Sequence, residues 1–100
     1  MPTSAAVKIQ LRNPDPKKKG PRMDKATYAV VRRAALATLP AGGAGLSLEE
    51  FRSKLATRLR RTKGWDPTLS APWYGMAIKL DLEARGELVR SGTPQRLTRA

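Results

Sequence analysis

Cysteine and histidine are both absent from this 100-residue chain, and aromatic residues make up only 5% of it. Without cysteine there are no disulfides and no thiolate metal sites. Without histidine, the side chain most used for proton transfer near neutral pH and for binding transition metals is missing as well. Acids are scarce: eight Asp and Glu, mostly scattered along the chain. We therefore expect no catalytic residues, no metal and no cofactor, and a binding protein rather than an enzyme. Long apolar runs are also missing, and nothing approaches the roughly 20 residues that span a bilayer. At the N-terminus the lysines follow the apolar stretch instead of preceding it, unlike a secretory signal. The expected location is cytoplasmic, with no membrane partner.

What the chain has in excess is positive charge. Twenty Lys and Arg give a net charge of +12 and a sequence pI near 11.2. Copies of such a chain repel one another and attract polyanions, so nucleic acid is the expected partner class.

Residues 1–22 read as a loose start, a strand and a basic arm, and residues 23–100 as the folded domain. Strict alternation in Val7-Lys8-Ile9-Gln10-Leu11-Arg12 predicts a strand over about 7–12. Prolines and a glycine then exclude regular structure through Arg22, leaving Lys17, Lys18 and Lys19 on an arm that could follow a nucleic-acid groove. Asp24 is placed to cap a helix over about Lys25–Leu39, which Pro40 ends. In the second helix, Ser47-Leu48-Glu49-Glu50 spells a capping box, with Leu46 and Phe51 at the staple positions. That accounts for the paired glutamates without any acid–base role. Phe51, Leu55 and Leu59 make its buried stripe, and Arg58, Arg60, Arg61 and Lys63 crowd its end as candidate phosphate contacts. Trp65 reads as a cover over the edge of the core.

A third helix runs from a Ser70 cap, past Pro72, to a stop at Gly86. Glu87–Arg90 and Gln95–Arg99 follow as two short strands around Ser91-Gly92-Thr93-Pro94. With residues 100° apart, the third helix is apolar on two sides: Tyr74, Gly75, Ile78 and Leu82 on one, Trp73, Met76, Ala77, Leu80 and Ala84 on the other. One side must face the core. The other could meet the N-terminal strand, a second copy or another protein. Base reading in a major groove needs Arg, Lys, Asn or Gln on the inserted helix, and here only Lys79 and Arg85 qualify.

The segment Ile78-Lys79-Leu80-Asp81-Leu82-Glu83-Ala84-Arg85-Gly86-Glu87-Leu88-Val89-Arg90 resembles the recognition-helix-to-wing segment of winged helix-turn-helix proteins, common among bacterial transcription regulators. The order Asn13-Pro14, Arg22-Met23-Asp24, Tyr28, Arg32-Arg33-Ala34-Ala35-Leu36, Leu39-Pro40, Gly45-Leu46-Ser47, Trp73 and Leu80 to Gly86 resembles a small bacterial family of uncharacterised single-domain winged-helix proteins. The resemblance implies an α+β winged-helix fold, three helices with one small antiparallel sheet made from the N-terminal strand and the C-terminal hairpin. The expectation that follows is binding to double-stranded DNA, chiefly through phosphates and with limited sequence preference. Arg60, Arg61 and Lys63 are expected on the backbone, Lys79 in the groove, Arg90, Arg96 and Arg99 on the flanking groove, and Lys17, Lys18 and Lys19 as an arm. The alternative is a protein-interaction or dimerisation module that uses Trp73, Met76 and Leu80.

Overall fold

The computed structural model describes residues 7–100; the loose start expected over 1–6 lies outside them. Its elements, in chain order, are β1 (Lys8–Gln10), β2 (Arg22–Asp24), α1 (Lys25–Thr38), α2 (Leu48–Arg60), α3 (Ala71–Ala84), β3 (Leu88–Ser91) and β4 (Arg96–Arg99). The three helices pack on one another around Val31, Ala35, Phe51, Leu55, Leu59, Ile78 and Leu82. Leu88 and Leu97 bring the hairpin onto the same core. The layout is α+β and winged-helix-like.

Local chemistry explains the helix ends. The Ser47 hydroxyl accepts the Glu50 amide at 3.0 Å and the Ser47 amide donates to the Glu50 carboxylate at 2.9 Å, which is the reciprocal box that starts α2. Those bonds hold the Glu50 carboxyl below its ordinary range. The Ser70 hydroxyl accepts from the Trp73 amide, and Pro72 sits in the first turn of α3 without losing a bond. Gly86 turns the chain at φ +77° directly after α3. Asp24 departs from expectation: it stands at the start of α1, but its side chain makes no cap bond and lies 2.9 Å from the Lys8 ammonium instead. Across β1 and β2 those two residues are direct partners, and the opposite charge wins the carboxylate.

The expected single sheet is corrected. There are two separate two-stranded antiparallel sheets, β1–β2 and β3–β4. Ile9 faces Met23 across the first, and Val89 faces Thr98 across the second. A partner reached through a loop of about ten residues costs less closure entropy than one at the far end of the chain. The open edge of β4 is also already taken. Leu46 and Leu97 exchange two backbone bonds of 2.9 and 2.7 Å, so the chain entering α2 adds a one-residue rung to the hairpin. The Pro-rich segment is thus the loop of the first hairpin, closed by the Leu11 amide on Pro21 and the Gly20 amide on Leu11. Leu11 is 1% exposed, so this hairpin is built onto the main core rather than hanging from it.

Candidate nucleic-acid interface

The charges on α3 are turned inward. Asp81, fully buried, accepts the Arg12 amide at 2.8 Å, the Tyr28 hydroxyl at 2.7 Å and the Arg85 guanidinium at 2.9 Å. The Arg12 bond ties the N-terminal hairpin to α3, and the hairpin loop lies beside Ala84 at the helix end. Lys79 is only 5% exposed and bonds Glu83 at 2.8 Å, one turn along the helix. This corrects its expected place in a groove: a helical position between two apolar stripes is flanked on both sides, and the ammonium stays only because a carboxylate stands beside it. Glu83 also holds Arg90 at 2.9 Å, and Arg85 is spent on Asp81.

Burial pushes the Tyr28 hydroxyl up to about 12, with its hydrogen bond to Asp81 and that carboxylate's charge adding to the effect. In an unfolded chain tyrosine ionises near pH 10. Between about pH 10 and 12 the unfolded chain therefore releases a proton that the folded one keeps. The stabilisation is complete below pH 10 and is lost as pH rises through about 12. Urea unfolding at stepped pH should show stability falling across that window, and Tyr28→Phe should flatten that part of the fall; an equally steep fall in the variant would contradict the assignment.

The cations expected on the wing divide. Arg90 is half exposed but paired with Glu83; Arg96 donates to the Ala44 carbonyl at 3.0 Å and lies 3.7 Å from Glu50. Arg99 is exposed, and its amide donates to the Pro40 carbonyl, which fixes it beside the end of α1. Arg60, Arg61 and Lys63 are exposed near the end of α2, and Lys17, Lys18 and Lys19 are exposed on the first hairpin loop. The ten expected contacts therefore do not form one surface. Arg61 borders the α1–α2 junction together with Pro40, whose carbonyl holds the Arg99 amide, while the lysine loop lies by the end of α3 near Ala84.

Between the last turn of α1 and the outer flank of α2 runs a groove of about 730 Å³. Lys54, Arg58 and Arg61 project along it from one flank of α2, and Thr38, Ser53 and Thr57 supply hydroxyls. No carboxylate lines it. Lys54 did not stand out in the sequence. The i, i+4, i+7 spacing of 54, 58 and 61 was the available signal, since it places three cations on one face.

Trp73, Met76 and Leu80 do not form an open apolar face. Trp73 is half exposed, with its ring edge-on to Tyr74 at 4.9 Å, and Tyr74 in turn meets the buried Trp65 at 5.5 Å. Met76 and Leu80 are partly covered. Trp65 does cover the core edge, as its sequence setting suggested. Among the described residues no cluster of three or more carboxylates could hold a metal ion, and no helix is long and apolar enough to cross a membrane.

No curated protein and no solved structure matches the chain. Residues 8–97, from the first residue of β1 into β4, match DUF6958, a family of unknown function, and the chain belongs to that family.

Proposed function

We propose that this protein is a cytoplasmic winged-helix protein that binds double-stranded DNA through its phosphates, with little preference for base sequence. The observation that carries the reading is how the charge is partitioned. Among the described residues, six of the twenty Lys and Arg are held in ion pairs, and three of those six pair with the two acids of α3, Asp81 and Glu83. The rest are exposed and stand on α1, α2 and the turn after it, the first hairpin and the end of β4. A helix whose charged groups are consumed internally has nothing to offer a base edge. A surface of unpaired cations has much to offer a phosphate backbone, where affinity comes from released counterions.

The order of three helices and a hairpin, with Leu46 pairing to β4, supports the winged-helix assignment. Ordinarily the third helix of such a domain would enter the groove. Here α3 is instead an internal strut, and the DNA contacts are of the kind that set affinity and register rather than sequence.

Two features separate this reading from sequence-specific regulation. Anisotropy of labelled duplexes, one A·T-rich and one G·C-rich, should give affinities within about threefold of each other. Both should weaken about a hundredfold or more between 50 and 200 mM salt if roughly four to six phosphates are neutralised. Absence of binding at 50 mM salt would refute DNA binding, and a tenfold or larger preference between the duplexes would refute the lack of base reading.

A further inference from the structure

We infer that the groove between α1 and α2 is the principal phosphate seat of this protein, holding two or three successive phosphates of one DNA strand on Lys54, Arg58 and Arg61. The inference rests on the DNA-binding reading above and assigns its contacts to a surface away from α3.

The cation spacing comes from the helix itself. Positions 54, 58 and 61 fall within about 60° of one another around α2, and they span about 10 Å along its axis at 1.5 Å per residue. Phosphates of one strand advance about 3.4 Å along the duplex axis for each step. The row of cations is about three such steps long, so two or three successive phosphates lie within reach of side chains that are long enough to adjust. No carboxylate lines the groove itself, and none of the three cations has an ion-pair partner among the described residues; Glu50, one turn before Lys54 on α2, stands outside the groove and offsets part of the charge at that end.

Arg58 is already held in position. Its Nε donates to the Thr38 hydroxyl at 3.1 Å, and that hydroxyl donates to the Ala34 carbonyl at 2.8 Å. Below it, the Thr62 hydroxyl donates to the Arg58 carbonyl at 2.7 Å. The two terminal nitrogens of the guanidinium have no hydrogen-bond partner among the described residues, so the fork that suits a phosphate stays available. Because one nitrogen is anchored, less side-chain entropy is lost on binding than for a free arginine. Ser53 and Thr57 lie one turn apart along the same groove and offer hydroxyl donors to phosphate oxygens.

The wing is the weaker anchor by comparison. Arg90 and Arg96 must leave Glu83 and Glu50 before they can neutralise a phosphate, so each gives back part of what it gains.

The test uses the whole chain and a labelled mixed-sequence duplex, with affinity measured by anisotropy from 50 to 300 mM salt. Three proteins are compared: wild type, Lys54→Ala/Arg61→Ala, and Arg90→Ala/Arg96→Ala. Lys54 and Arg61 are exposed and donate no internal side-chain hydrogen bond among the described residues, so their loss spares the fold, which an unchanged urea midpoint checks. The groove variant should bind at least tenfold more weakly at 50 mM salt, and its log–log salt slope should be shallower by about two units. The wing variant should lose less than one unit. Wild-type binding with an unchanged slope in the groove variant would overturn the groove assignment while leaving DNA binding intact. A wild-type protein that does not bind at 50 mM salt would overturn both.

Discussion

Asp81→Ala is expected to cost about 3–5 kcal/mol of folding stability, the largest effect of any polar substitution in the chain. The side chain is wholly buried on α3 and receives bonds from three different parts of the structure: the Arg12 amide, the Tyr28 hydroxyl on α1, and Arg85 one turn on. The Arg85 guanidinium also lies 5.7 Å from the centre of the Tyr28 ring. Alanine would strand a buried hydroxyl, a backbone N–H and the Nε of a guanidinium at once. Each stranded neutral donor costs about 1–3 kcal/mol, and the cation more. A domain of this size has a total stability of about 5–15 kcal/mol, so the variant approaches the unfolding threshold at room temperature. Urea denaturation would measure the loss. A cost below about 1 kcal/mol would mean that the three donors find other partners, and the picture of α3 as an internally locked strut would fail. Tyr28→Phe in the Asp81→Ala background supplies a second check. Removing the stranded hydroxyl should then cost little or nothing, because its partner has already gone.

That network also marks the limit of what the sequence could say. Helix ends were readable because caps are local: Ser47 with Glu50, Ser70 before Pro72, and Gly86 each act within about four residues. The C-terminal hairpin was readable from its turn composition, and the buried stripe of α2 from periodicity, for the same reason. Asp81 was not, because its three partners are brought together only by tertiary packing and an acid between apolar neighbours looks like a surface residue. Lys79 misled in the same way: a helical wheel gives its angle but not what covers that angle. The second strand was missed because Arg22-Met23-Asp24 is too short to show a period, and it pairs with β1 only because the Pro-rich segment folds back. The positive charge was evident from composition alone. Its gathering into a groove was not, since Thr38 and Pro40 on α1 must first come to lie against α2.

Two glycines that look alike in the sequence should respond to alanine with opposite signs. Gly45→Ala is expected to lose at least about 2 kcal/mol, and Gly75→Ala to gain about 0.5–1 kcal/mol. Gly45 sits at φ +70°, where an L side chain costs about 1–2 kcal/mol in backbone strain alone. A Cβ there would also stand 2.8 Å from the Leu97 carbonyl oxygen and 3.1 Å from the Arg96 Cβ. The carbonyl cannot yield easily, because it accepts the Leu46 amide that ties the hairpin to the start of α2. Gly75 lies inside α3 with ordinary helical geometry, and a Cβ would meet only the Leu55 Cδ2 at 3.5 Å, a normal contact. Alanine there removes backbone freedom from the unfolded chain and adds apolar contact in the core. Urea midpoints of the two variants against wild type decide the signs. Gly45→Asn separates the two causes at Gly45, since asparagine enters the left-handed region more readily than alanine but brings the same Cβ. We expect Asn to stay within about 1 kcal/mol of Ala, because the collision with Leu97 remains whichever side chain carries the carbon. Recovery of nearly full stability by Asn would assign the penalty to backbone strain and free the Leu46–Leu97 rung from any steric demand on position 45.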